Sequence, residues 1–446
     1  MQNMNEPIVV LAAGKGTRMH SSLPKVLHKV CGKPMISYVV DVAKTSEDTD
    51  VIVVVPKDND QIKDAIGNSV AYCVQSVPSG TADAVLSART LLSGHNNVVV
   101  MSGDVPLVSE NLLSSLIEKH NETEASITFV TADVKNPDGL GRVVRNSDGM
   151  ISKIVEQDDA SHDELDITEI NAGIYMFNTS WLWDSLSNVA ESKSGEVYLT
   201  SLIHLANQDN KVMSTVKAND EHEVLGVNSQ IQLSAAEDYM RQKINHEFML
   251  NGVAMVDPKT VYIDSDVVIS EGAIINPNTH LLGKSKIAAR SEIGPNTVIK
   301  NGEVGKDCKI ESSYVSDSDI ENGVSIGPFS NIRANTSLAS NVRVGNFVEI
   351  KNSKVAENTR ILHHSYIGDA EVGKNVNIGA GSITCNFDGS RKSHTEIGDS
   401  AFIGSNTMMV APLKIGTGAI TGAGSVITTD VPNGATVMGV PARLKK

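Results

Sequence analysis

Positive charge is in short supply. The 446 residues carry 38 lysines and arginines against 53 aspartates and glutamates, a formal charge of -15 at pH 7. Chains that hold nucleic acid or an anionic membrane need the opposite balance, so neither partner is expected and any phosphate binding must be local. Cysteine is scarce too. Cys31, Cys73, Cys308 and Cys385 stand far apart and show no paired metal-ligand spacing. No apolar run reaches the ~18 residues of a membrane-spanning helix. The N-terminus lacks the long apolar stretch of a secretory leader. These absences lead us to expect a reduced, cytoplasmic enzyme.

What is present is a period. From Ile320 onward the aliphatic residues Ile320, Ile326, Ile332, Leu338, Val344 and Ile350 recur every six positions, and the beat resumes through Ile361, Ile367, Val372, Ile378, Ile397, Ile403, Ile415 and Ile427. An earlier series, Ile263 to Ile299, keeps the same spacing. Helices repeat at three and four residues, whereas a six-residue unit forms one flat face of a parallel β-helix and three units close a turn. One rung cannot bury its own aliphatic residue, so only the stack is stable. Glycine follows the aliphatic residue at Gly327, Gly345, Gly368, Gly373, Gly379, Gly398, Gly404 and Gly416. We expect it to serve a corner with positive φ.

The first half has a different texture. Ile8 to Leu11 is a short apolar strand running into Ala12-Ala13-Gly14-Lys15-Gly16-Thr17-Arg18-Met19, followed by Leu23-Pro24-Lys25. Small residues let a ligand approach the backbone, while Lys15, Arg18 and Lys25 supply cations for phosphate. A tight turn would explain the Gly-x-Gly pair alone; the three cations favour the ligand reading. The loop lacks the Gly-Lys-Ser/Thr ending of a Walker loop and the third glycine of a dinucleotide fingerprint. Further strands, Val51 to Val55 and Val98 to Met101, alternate with helical stretches such as Gln61 to Ile66, which predicts an α/β layer with a mostly parallel sheet. Ligands sit at the carboxyl ends of such strands. Asp104, just beyond Met101, is therefore a Mg²⁺ ligand candidate; the alternative is an Asp capping the helix that begins near Ser109.

These residues carry a resemblance. The glycine-rich loop, Lys25, Gln75 with Gly80-Thr81, Gly103-Asp104-Val105-Pro106, Gly141-Arg142, Val155-Glu156, Glu169-Ile170-Asn171-Ala172-Gly173 and Gly226-Val227-Asn228 together resemble the sugar-1-phosphate nucleotidyltransferases. With the solenoid and its Asn346 to Lys351, Tyr366 to Ala370 and Asn377 to Asn386 segments, the whole chain resembles the bacterial bifunctional enzymes of that group. Those acetylate glucosamine-1-phosphate from acetyl-CoA, then join N-acetylglucosamine-1-phosphate to UTP. The resemblance implies a Rossmann-like nucleotidyltransferase domain at 1–228, a linker helix at 229–250 and a left-handed parallel β-helix at 251–446. It also implies that Leu11, Ala12, Ala13, Gly14, Lys25, Gln75, Gly80 and Thr81 hold the nucleotide and that Gly141, Glu156 and Asn171 hold the sugar. Asp104 and Asn228 would bind Mg²⁺, with Arg18 and Lys25 as transition-state cations. Two departures lie near the pocket: Asp83 stands where the family has His, and Tyr198-Leu199-Thr200-Ser201 ends in Ser rather than Asp.

For the solenoid, the resemblance is to acyltransferases that work as homotrimers, with sites shared between subunits. It implies His363 as general base, with Arg333, Lys351, Tyr366 and Asn377 holding the acetyl acceptor. Acetyl-CoA would run along Ala380, Asn386, Phe387, Ser405 and Ala423. Arg443 is the candidate for a cofactor cation, although the tail is shorter than the family's. Lys351 and Tyr366 are fifteen residues apart, and we expect an extra loop near Ala356 to Arg360. The period breaks again between Cys385 and His394, which predicts a protruding loop whose Arg391-Lys392 suit a phosphate. The competing reading is a nucleotidyltransferase alone, its β-helix serving only trimerisation or regulation.

Overall fold

A computed structural model describes residues 6–44, 49–57, 60–77, 79–189 and 197–445. The chain divides into two compact units, Met1–Met240 and Arg241–Lys446.

In the first unit, runs such as Val51–Pro56 are buried on both faces and are β-branched, the composition of a central parallel strand. Across the sheet the strands run Met213–Lys217, Ile127–Asp133, Glu169–Asn178, Asn97–Ser102, Ile8–Leu11, Val51–Pro56 and Ala71–Gln75. Neighbours are parallel except Glu169–Asn178, which opposes both of its partners. Alternate side chains feed two cores, Val10, Val53 and Met101 on one face and Val9, Ile52 and Val100 on the other. Leu11 pairs with Ser102 in register, so the glycine-rich loop and the Gly103-Asp104 turn leave the sheet side by side. The helix Glu110–Thr123 is capped by Ser109, whose Oγ accepts from the Leu112 N–H at 3.2 Å. Asp104 is not the cap.

The helix Gln230–Leu250 spans the division. Its first half is tied to the first unit by the Tyr239 hydroxyl, which donates to Asp220. Its second half is tied to the other by the Asn245 amide, which donates to the carbonyls of Pro258 (2.8 Å) and Val261 (3.0 Å).

The second unit is a left-handed parallel β-helix. Its three faces are sheets of 12, 10 and 9 strands, each strand pairing with the one a coil later. Ile332, Ile350 and Ile367 stack in register, and such columns fill a continuous aliphatic interior. Each fully buried Ile contributes about 1.5–3 kcal/mol, so the columns supply the driving force. The last coil is closed by a turn-back in which Arg443–Leu444 runs antiparallel to Thr436–Met438.

Two expectations fail here. No extra loop lies at Ala356 to Arg360: Glu349 pairs with Tyr366 and Lys351 with Gly368, so this coil is one residue short of eighteen. The second concerns glycine. Of the eight glycines that follow an aliphatic residue, only Gly327 has positive φ. The others are needed for close approach: a Cβ on Gly398 would sit 2.5 Å from the Thr417 nitrogen, and one on Gly345 would sit 2.0 Å from the Leu362 carbonyl oxygen. Asparagine takes many left-handed corners instead, including Asn278, Asn296, Asn341, Asn358 and Asn406, and others fall to glycines such as Gly283 and Gly323 or to residues such as Asp307 and Phe347. Gly398→Ala should therefore cost about 1–3 kcal/mol by overpacking. Gly418→Asn, at a left-handed position with open space around it, should leave the melting temperature nearly unchanged. Calorimetry on both variants checks the contrast; equal losses would refute it.

Candidate active sites

The first site is a cavity of about 370 Å³ at the carboxyl ends of the central strands. Leu11, Ala12, Ala13, Gly14, Lys15, Gly16 and Thr17 line one side, Gln75, Gly80 and Thr81 another, and Lys25, Ser102, Asp104 and Tyr198 complete it. Gly80 has φ +127, and a Cβ there would meet the Val197 carbonyl at 2.4 Å, so only glycine lets the two segments touch. The Thr81 hydroxyl accepts from the Leu199 N–H at 2.9 Å, holding the segment that carries Tyr198 against the cavity. The Ala12 N–H is spent on the Val54 carbonyl (2.9 Å), which leaves Ala13 and Gly14 to supply backbone donors to a ligand.

At the cavity wall a lysine joins the two expected metal ligands. The Lys25 ammonium pairs with the Asp104 carboxylate and donates to Asn228 Oδ1 at 3.0 Å. The other Asp104 oxygen accepts from the Ser102 hydroxyl at 2.7 Å. Asp104 is 6% exposed, so its charge needs a cation. A carboxylate and an amide oxygen converging on one cationic centre are hard donors of the kind Mg²⁺ takes, with phosphate and water filling the rest of its shell. Among the described residues no group of three or more His, Cys, Asp or Glu is placed to hold a metal.

The expected sugar-binding residues also come together. The Asn171 N–H donates to the Gly141 carbonyl at 2.9 Å, and Gly141 faces Glu156, whose carboxylate would be 3.4 Å from a Cβ there. The Thr200 hydroxyl donates to Glu156 at 3.0 Å, so the departing segment still supports the residue expected to hold the sugar. Gly141, Glu156, Asn171 and Asn228 do not line the cavity, and neither does Arg18, which is exposed beside Gly139 while Lys15 and Thr17 stand at the wall.

The second constellation lies on the β-helix. His363 ends the strand Arg360–His363 and pairs in register with Asn346. Its Nδ1 is 3.0 Å from Asn346 Oδ1. An amide oxygen can only accept, so in the neutral imidazole this contact favours the tautomer with its proton on Nδ1 and its lone pair on Nε2. On the adjoining face Arg333 binds Glu349 at 2.7 Å. The Lys392 ammonium beside Lys351, together with Arg333, holds the Lys351 ammonium below the usual lysine range. Arg333 is already paired with Glu349, and Asp369 also acts on Lys351, so the positive charge left for an anion is chiefly that of Lys351 and Lys392. Lys392 arrives through the loop after Cys385, where Phe387 and Lys392 form an isolated bridge. The Tyr366 hydroxyl is 3.3 Å from Asn386 Nδ2, which also donates to Asp369.

Ala380, Ser405 and Ala423 stack on successive coils. The Asn406 N–H donates to the Ala380 carbonyl at 2.7 Å and the Gly424 N–H to the Ser405 carbonyl at 2.8 Å. Phe387 is 60% exposed. Asn377 lies on the strand next to the one that ends in His363, in register with Arg360. Arg443 falls elsewhere: it is exposed in the closing turn-back with its guanidinium on the Ala442 carbonyl.

Comparison with known proteins agrees with this division. The nucleotidyl transferase family matches residues 8–236, and the bacterial transferase hexapeptide family, six repeats, matches 266–301 and 394–429. The chain is 43% identical to the bifunctional protein GlmU of Exiguobacterium sibiricum over 96% of both sequences. It is 41% identical to that of Streptococcus agalactiae serotype V, over 99% of this chain and 97% of the relative. A cavity lined by a glycine-rich loop in the first half of the chain, a histidine-bearing hexapeptide solenoid in the second and end-to-end similarity place it plainly: this chain belongs to the bifunctional GlmU family.

Proposed function

We infer that the chain makes UDP-N-acetylglucosamine in two reactions at two separate sites. The observation that carries this is the pair of independent constellations: Lys25, Asp104 and Asn228 at the cavity, and His363 with Asn346 beside a cluster of cations on the β-helix. In the first reaction the amine of glucosamine-1-phosphate attacks the thioester carbonyl of acetyl-CoA. His363 Nε2 takes the amine proton, and coenzyme A leaves as the thiol once that proton is returned. Arg333, Lys351 and Lys392 would hold the sugar phosphate, with Tyr366 and Asn377 positioning the ring. The cofactor would run past Ala380, Asn386, Phe387, Ser405 and Ala423.

In the second reaction the phosphate of N-acetylglucosamine-1-phosphate attacks the α-phosphorus of UTP in line, and pyrophosphate leaves. Catalysis is then positioning and charge neutralisation, for which Lys25 lies in the cavity and Arg18 at its margin. Asp104 and Asn228 would hold Mg²⁺, which neutralises phosphate charge when bound. A homotrimer is the proposed assembly, since a three-sided solenoid offers flat faces for three-fold packing. No helix among the described residues is long and apolar enough to cross a membrane, in keeping with a cytoplasmic enzyme.

Purified protein given UTP and N-acetylglucosamine-1-phosphate should release pyrophosphate only with Mg²⁺ present, and excess chelator should stop it. The same protein given acetyl-CoA and glucosamine-1-phosphate should release coenzyme A whether or not chelator is added. Full uridylyl transfer in chelator would remove the metal from the proposal. A monomer by light scattering would remove the trimer.

A further inference from the structure

The cavity contains an arrangement suited to specificity at Gln75. Gln75 is buried, 5% exposed, and lines the cavity at the end of its strand. Its Nε2 donates to two acceptors, the Gly80 carbonyl at 3.1 Å and the Asp83 carboxylate at 2.8 Å. Asp83 sits in the first turn of the helix Thr81–Ser87, which fixes it relative to the strand. An amide has one donating end and one accepting end, and neither the carboxylate nor the carbonyl can donate. Turning the amide over would place Oε1 against two acceptors and leave both unpaired, so the orientation is determined rather than arbitrary. Oε1 has no donor among the described residues and remains for the ligand.

We propose that Asp83 is a positioning residue for base selection: by holding the Gln75 amide with Oε1 as the presented end, it makes the cavity accept pyrimidines that carry N3–H and reject those that carry an N3 lone pair. Uracil offers a donor at N3. Cytosine offers an acceptor there, and two lone pairs would face each other. Discrimination then comes from repulsion as much as attraction, the stronger of the two ways to separate ligands of one size. The proposal rests on the reading of this cavity as the UTP site, and it adds a residue whose bland role would be an acid favouring the N-terminal end of a short helix.

The test is kcat/KM for UTP and for CTP, each with N-acetylglucosamine-1-phosphate, in the full-length parent and three variants. Asp83→Asn keeps an acceptor oxygen and should keep the UTP/CTP ratio within about threefold. Asp83→Leu removes one of two acceptors, and the ratio should fall about tenfold, the loss of one charge-assisted hydrogen bond. Asp83→Lys presents only donors, which draw Oε1 away from the cavity. Its ratio should fall about a hundredfold, with CTP turnover rising in absolute terms. A merely structural Asp83 would lower both substrates together and leave the ratio flat across the series, which would overturn the proposal. Asp83→Leu still decides the matter if the lysine variant does not fold. A parent that does not use UTP would overturn the reading of the cavity itself, a different failure.

Discussion

Asp104→Ala is expected to lose uridylyl transfer by about 10²–10³-fold, the scale of removing one preorganised electrostatic group from a reacting site. The reason lies in what the carboxylate holds. It pairs with Lys25, accepts from Ser102 and lies beside Asn228, so its loss releases the lysine and removes one of two oxygens proposed for Mg²⁺. The triphosphate charge would then lack compensation on two counts. Acetyl transfer should be unchanged, because no residue of this group belongs to the β-helix unit. The pyrophosphate-release and thiol-release assays together separate this outcome from general unfolding. Asp104→Ala turning over UTP at the parent rate would sink the assignment.

The period of six was legible because each aliphatic residue on the interior reports its own burial, and Ile332, Ile350 and Ile367 stack as their spacing predicts. What periodicity could not give was register. A coil one residue short leaves the aliphatic rhythm almost intact yet moves every side chain after it, so what read as an extra loop at Ala356 to Arg360 is a shortened coil. The glycines show the same limit: composition marks where glycine stands but not whether φ or a neighbouring coil demands it. At Gly398 and Gly345 the demand comes from backbone a full coil away in sequence. Asparagine at the corners was a usable signal, since a residue tolerant of the left-handed region recurs along the solenoid.

In the nucleotide cavity, sequence order was a better guide. Strand, small-residue loop and an acid after the neighbouring strand imply adjacency in any parallel sheet, and the pairing of Leu11 with Ser102 supplies it. The partners of Gln75 and of Lys351 were not legible. The resemblance marks Asp83 as a departure, and only its contact with the Gln75 amide gives that departure a meaning. Lys392 comes from a loop whose path the broken period conceals, and its proximity to Lys351 is a tertiary fact. Asn377 was expected near the rungs of His363, and seventeen residues of coil put it on the adjacent strand, opposite Arg360.

The second large effect is expected at His363. Nδ1 lies against Asn346 Oδ1, so the neutral imidazole that donates there has its lone pair on Nε2 for an attacking amine. His363→Ala should therefore lower acetyl transfer by about 10²–10⁴-fold, the usual contribution of a positioned base, with kcat rather than KM carrying the loss. Asn346→Ala should lower it less, because the imidazole remains while its tautomer and orientation are no longer held. Uridylyl transfer should survive both changes. The reverse variant, Lys25→Ala, should damage uridylyl transfer and spare acetylation, and combining it with His363→Ala should give simply the two separate losses, as expected of sites that share no partner. If His363→Ala acetylates at the parent rate, the base lies elsewhere and the β-helix keeps only a structural claim. The chain would then be better described as a nucleotidyltransferase carried on a trimerising stalk.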